Sequence, residues 1–158
     1  MQVRPAQIAD ADHAIDVVRR SIQELCVSDH KGDSATLSMW LSNKTADNMR
    51  RWIADHTVLV AAEGEQIAGV ASVRFDGHVL LNYVAPEARF KGASKSLLRD
   101  IEVWASHRGL KWLTLDSTAT APRFYLSNGW TIAGPPQPGF GVTMRNPMLK
   151  AVTVAPGA

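Results

Sequence analysis

Residues 84–98 read Val-Ala-Pro-Glu-Ala-Arg-Phe-Lys-Gly-Ala-Ser-Lys-Ser-Leu-Leu, and the fold turns on how this stretch is read. Its start closes a β-rich run, Val79 to Val84. Its end opens a helical one, in which Ala93, Leu97, Leu98, Ile101, Trp104 and Ala105 share one face. Between the two lies Gly92 among small residues. A helix start without side chains to cover it leaves backbone N–H groups open, and with the helix dipole these suit a phosphate. Arg89, Lys91 and Lys95 add positive charge, and Arg99 falls one turn beyond Lys95. The stretch therefore predicts a pyrophosphate-binding loop at the carboxyl end of a strand. Taken in isolation, the same residues fit a Gly-containing turn with a solvated basic face equally well. The spacings of the nucleotide-binding P-loop and of the Rossmann fingerprint are both absent.

Working outward, Val58 to Ala62 and Ile67 to Phe75 are β-rich and join Val79 to Val84 through a Glu-Gly-Glu turn and an Asp76-Gly77 hairpin signal, which makes three sequential antiparallel strands. Downstream, Gly92 to His107 is helical with Gly109 placed to end it, and Trp112 to Asp116 is a strand. Val79 to Asp116 is then a strand-helix-strand crossover, whose strands are expected to be parallel neighbours with a right-handed connection. Ala119 to Asn128 reads as a short helix, and Trp130 to Ala133 and Val142 to Met144 as final strands across a loop rich in Pro and Gly. Upstream, Ala11, Ala14, Ile15, Val18, Ile22 and Leu25 form a helical stripe. Val27 to Gly32 loses that period, and Asp33 or Ser34 and then Thr45 can cap two further helices.

The whole chain has 158 residues, 46% of them hydrophobic and 20% charged, which suits one packed domain over residues 1–150 with a loose tail at 151–158. Seventeen Lys and Arg against fifteen Asp and Glu give a net charge of +2, far short of a nucleic-acid binder that lives on phosphate contacts. No apolar run approaches the roughly 20 residues of a membrane span, and the first residues carry no apolar leader, so a cytoplasmic protein is expected. Cys26 stands alone, which excludes an internal disulfide and a cysteine-rich zinc site. His13, His56, His78 and His107 have no metal-ligand spacing, and no metal is expected.

The run Arg89-Phe90-Lys91-Gly92-Ala93-Ser94 resembles the Gln/Arg-x-x-Gly-x-Gly/Ala signature of GCN5-related N-acetyltransferases, with Val84 and Pro86 at the positions usual before it. A second segment, Ala121-Pro122-Arg123-Phe124-Tyr125 followed by Asn128-Gly129-Trp130, is similar to that family's next motif, and the two stand at the expected separation. Ser94 departs from the usual Gly or Ala, and Phe90 stands where many members have Gly. The resemblance implies an α/β (α+β) fold with a mixed, mostly antiparallel sheet of about six to seven strands, splayed between the fourth and fifth, and helices on both faces. It also implies an acetyl-CoA-dependent transfer to an amine in a ternary complex. Backbone groups around Tyr83, Val84 and Ala85 would hold the pantetheine, and one N–H there would polarise the thioester carbonyl. Arg89, Phe90, Lys91, Gly92, Ala93, Ser94 and Lys95 would take the pyrophosphate, with Phe124 also at the cofactor. Tyr125 matches the position whose phenol donates a proton to the departing thiolate; the structural alternative is a ring that fills core.

For the acceptor, Asp29 and His30, with Glu24 and Cys26, concentrate polar groups just past the first helix, where such proteins build the acceptor pocket. A solvated loop is an equal reading for Asp29 and His30 singly, and a small buried hydrophobe is the leading one for Cys26. Asp116 and Ser117 form a second candidate pair, although Asp116 also reads as a cap of the following turn. Trp40 and Trp52 are candidates to line the cleft, and the Pro135 to Pro138 loop is either a lid or, the leading reading, a stiff connector. A small-molecule amine is the preferred partner because the chain is short and carries no module to hold a peptide. A protein amine, an acyl-CoA sensor without turnover, and a longer acyl group admitted near Leu80 and Asn82 are the alternatives. Dimers are common among such proteins, so a homodimer is within expectation.

Overall fold

The computed structural model of the chain describes residues 1–153. Strand β1 (Gln2–Pro5) leads through a short 3-10 turn into α1 (Ala11–Leu25), followed by α2 (Val27–His30), α3 (Ser34–Leu41) and α4 (Ala46–Asp55). Asp33 accepts from the Thr36 N–H and Thr45 from the Asn48 N–H, each satisfying a donor that a helix start leaves open. α2 forms where no helix is expected from the sequence, because four residues are too few to show a period.

Strands β2 (Thr57–Glu63), β3 (Gln66–Val73) and β4 (Val79–Val84) form the expected antiparallel meander, and β1 joins the free side of β2, so one sheet runs β1-β2-β3-β4. Helix α5 (Ala93–His107) then leads to β5 (Trp112–Ser117), α6 (Pro122–Ser127), β6 (Thr131–Ile132), β7 (Gln137–Pro138) and β8 (Met144–Ala151). The second sheet runs β5-β8-β6, with β7 also paired to β8. Among the described residues no helix is long and apolar enough to cross a membrane.

On one face of the first sheet, α1 lays Ala14, Val18 and Ile22 against Val60, Val70 and Leu81, with Trp40 and Met49 closing the core. On the opposite face α5 sets Leu97, Ile101 and Ala105 against Ala71 and Val73 of the first sheet and Leu113, Leu115 and Met148 of the second. Each of the Leu, Ile, Val and Met side chains contributes about 1.5–3 kcal/mol when buried, and α5, packed on both sheets, holds them together. Gly69 lets it approach: a Cβ there would lie 3.0 Å from Leu97 Cδ1 and 3.3 Å from Ala93 Cβ.

Three expectations change. β4 and β5 are not neighbours along their length; they meet in one parallel bridge, His78 to Thr114, supported by the Thr114 N–H on Gly77 O at 3.1 Å, and beyond it they part. The last strand is Met144–Ala151 rather than Val142 to Met144. Pro147 disguises it, yet is tolerated because its backbone faces the side where β6 ends and its carbonyl accepts from the Ala133 N–H at 2.9 Å. Of the expected tail, Ala151 closes β8, Val152 bonds Lys111 O, and Thr153 donates through its N–H and its hydroxyl to the Glu102 carboxylate, each at 2.9 Å. Residues 154–158 lie outside the described residues.

Candidate functional site

Where β4 and β5 part, a cleft of about 310 Å³ runs from the start of α5 to α6. Gly92 is the N-cap of α5, in the left-handed region at φ 85°, and no side chain caps the helix. A Ser or Asp in its place would hold the first amides; here the N–H groups of Ala93, Ser94 and Lys95 stay open toward the cleft. Arg89, Phe90, Gly92, Ala93, Ser94 and Lys95 all line it, while Lys91 does not. Phe90 is left-handed as well, at φ 65°, with its ring 90% exposed and the Arg89 guanidinium 4.6 Å above it.

The edge of β4 forms the cleft's long wall. The Ala85 N–H donates to Ala68 O at 2.8 Å, and its carbonyl accepts from the Ala88 N–H at 2.9 Å, so both backbone groups of Ala85 are committed to the fold. The antiparallel ladder alternates: Tyr83 turns its backbone to β3 as Ala85 does, and Asn82 and Val84 turn theirs to the gap. The pantetheine role expected of the Tyr83 and Ala85 backbones is therefore corrected in favour of Val84, whose N–H faces the opening.

Opposite this wall stands Tyr125, buried on α6 and packed edge-on between Phe124, at 5.2 Å, and Trp130, at 5.7 Å. Burial pushes its phenol up to about 12, against the opposing pull of the hydrogen bond that Asn82 Nδ2 donates to the phenol oxygen at 3.0 Å. The ring thus fills core, as one sequence reading has it, while the residue also lines the cleft. Phe124 lines the same cleft.

A second cavity, about 450 Å³, adjoins the first and shares Tyr83, Asp116 and Thr118 with it. Its walls include Trp40, stacked on Phe140 at 6.4 Å, with Met144 and Arg145 from β8. Asp116 points into both cavities; its carboxylate lies 3.6 Å from the Arg145 guanidinium and 4.0 Å from His78 Nε2. Burial holds His78 below the usual histidine range. Ser117 lines the second cavity, but its hydroxyl donates to Thr118 O at 2.8 Å.

The other candidates divide. Asp29 borders the second cavity, yet its carboxylate accepts from the Ala119 N–H at 2.5 Å and from the Thr120 hydroxyl, so it fastens the loop after β5. His30 lines neither cavity: Nδ1 accepts from the Gly32 N–H at 3.0 Å, and Nε2 lies 3.1 Å from Ile22 O. Glu24 is exposed and paired with Arg20 at 3.6 Å. Cys26 does line the cleft, but burial pushes its thiol up to about 12, which leaves it protonated and unreactive. Trp52 packs on the first core away from both cavities. The Pro135 to Pro138 loop continues into Gly139 and Phe140, which wall the second cavity, and Val142 N–H ties it to Thr36 Oγ1 at 3.1 Å.

Thr118, Phe140 and Arg145 are wall residues to which the sequence assigned no role, and Asn82 entered it only for the length of the acyl group. Asn82 carried a signal, a polar residue in the middle of the apolar strand Val79–Val84. Thr118 follows from the end of β5, while Arg145 and the Phe140 loop that leads to it depend on the placement of β8.

A family model described as the acetyltransferase (GNAT) domain matches residues 26–151. Among solved structures, the GCN5-related N-acetyltransferase of Rhodopseudomonas palustris superposes with a TM-score of 0.85 at 20% identity, covering 95% of this chain and 94% of that one. PaiA N-acetyltransferase of Thermoplasma acidophilum, in complex with coenzyme A, gives 0.77 at 19% identity over 95% and 98%. YncA of Salmonella typhimurium, with its cofactor acetyl-CoA, gives 0.74 at 23% identity over 100% and 98%. At these identities the likeness is one of fold. No curated protein matches the sequence.

Proposed function

The chain belongs to the acetyltransferase (GNAT) domain family, and on that premise we propose that it moves an acetyl group from acetyl-CoA to the primary amine of a small molecule, by direct attack in a ternary complex. One observation carries the reading: the uncapped start of α5 and the Tyr125 hydroxyl open on the same cleft, at the point where β4 and β5 part.

The residues present fit the cofactor. The open N–H groups of Ala93, Ser94 and Lys95, with Arg89, Lys91 and Lys95 around them, suit a diphosphate. Phe90 offers an outward ring on which an adenine can stack. The backbone of Val84 faces where a pantetheine arm would run, and its N–H is the donor for charge developing on the thioester oxygen. In the adjoining cavity, Trp40, Phe140 and Met144 suit an apolar body, and Asp116 suits an ammonium.

An ordinary amine, with a pKa near 10.4, is neutral in only about one in 10³ to 10⁴ molecules at pH 7, a handicap of roughly 4–5 kcal/mol that a base must help to overcome. Asp116, at the junction of the two cavities, is the residue placed to take that proton, and Arg145 beside it balances its charge. Tyr125, kept protonated by burial, then gives a proton to the departing sulfur.

The test is release of free thiol from acetyl-CoA against phenethylamine, spermidine and lysine. Phenethylamine is expected to raise release at least about tenfold over hydrolysis. Tight CoA binding without release for any amine would mark a sensor and contradict transfer.

A further inference from the structure

We infer that Asn82 is a positioning residue for the acid of the reaction, holding the Tyr125 phenol so that its proton points at the cofactor's sulfur; this rests on the function proposed above. Two observations meet at this side chain. Its Nδ2 donates to the Tyr125 oxygen at 3.0 Å, and its Oδ1 is buried with no partner among the described residues.

The second observation speaks against stability as the reason for the amide. A buried carbonyl oxygen without a donor weakens a fold, and an apolar side chain of the same shape would avoid that cost. Turning the amide over does not help, since Nδ2 would then be the orphan. What the side chain supplies is directional. With one lone pair of the phenol oxygen taken by the Asn82 N–H, and no protein acceptor for the phenol's own proton among the described residues, the O–H is left to the cleft.

The same N–H holds the charge that appears when the proton leaves, which is why it draws the phenol downward in pKa while burial pushes it up. The step balances. The amine's lone pair forms the C–N bond and the C–S bond breaks with its electrons on sulfur. Sulfur takes the phenol proton, and the proton shed by nitrogen returns to the phenolate through water. Asn82 contacts neither substrate nor cofactor in this step and acts through Tyr125.

The experiment is a double-mutant cycle on the full chain with Asn82→Leu, Tyr125→Phe and the pair, reading kcat and KM for acetyl-CoA with phenethylamine as acceptor, water as the nucleophile in its absence, and Tm. Asn82→Leu should lower kcat about tenfold, leave KM within about twofold and leave Tm unchanged or raised, and the double variant should match Tyr125→Phe. Losses that multiply, an Asn82→Leu kcat equal to wild type beside a damaged Tyr125→Phe, or a kcat loss that comes with a lower Tm would each overturn the inference. Should the leucine variant not fold, Asn82→Val, which removes the donor without adding a charge, is read in the same way. A Tyr125→Phe enzyme as fast as wild type would remove the acid itself, and no thiol release from the wild type with either nucleophile would remove the proposed function beneath it.

Discussion

Tyr125 shows how one residue serves packing and chemistry together: its ring sits between Phe124 and Trp130 while its hydroxyl meets Asn82 at the cleft. Tyr125→Phe keeps the ring and removes the proton, so kcat should fall at least several-fold with CoA affinity nearly intact; stopped assays of thiol release and a CoA titration check the two halves separately. Phe90 is the converse case, a residue the fold does not need. A left-handed backbone costs a residue with a side chain roughly 1–2 kcal/mol, and the ring it carries is 90% exposed. Phe90→Gly relieves that strain against a gain in unfolded-chain freedom of about 0.5–1 kcal/mol, so Tm should stay within about 4 °C of wild type. KM for acetyl-CoA should rise several-fold. An unchanged KM would take the adenine off this ring.

Among the elements, the ones with local signals were legible in the sequence. The caps at Asp33 and Thr45, the meander from β2 to β4, and α5 follow from side chains within a few positions of one another. β8 was not, because Pro147 reads as a break, and the wall of the second cavity went with it: Val142 reaches Thr36 across 106 positions of chain, which no local pattern records. That corner also buries Lys44 beneath Phe140, its ammonium 2.7 Å from Asn43 Oδ1 and 3.4 Å from Trp40 O. Burial pulls its pKa down to about 8, whereas in the unfolded chain it lies near 10.4. Between those values the unfolded chain binds the extra proton, so folding stability gains as pH rises through that window. Lys44→Met should therefore be more stable than wild type at pH 7, with the gap closing between pH 8 and 10 in thermal melts. A gap that ignores pH would mean that the ammonium is not desolvated.

At the scale of the whole molecule, two sheets share one core but, among the described residues, pair only at His78 and Thr114. The crossover rule made β4 and β5 neighbours from the sequence, and only the resemblance to the acetyltransferase family implied that they splay. The motif at 89–94 was legible because a helix start without a cap is a local feature, whereas the contacts that occupy Glu24, Asp29 and His30 lie on the protein's own backbone and side chains, out of sight of a pattern search. The central claim is that the open amides of α5 hold a diphosphate and so aim a thioester between the parting strands. Isothermal titration of the protein with CoA, alongside pantetheine, tests it most directly. Saturable one-to-one binding of CoA, about a hundredfold or more tighter than that of pantetheine, which lacks the diphosphate, is expected. No heat with CoA at millimolar concentration and low salt, or equal affinities for the two, would contradict it.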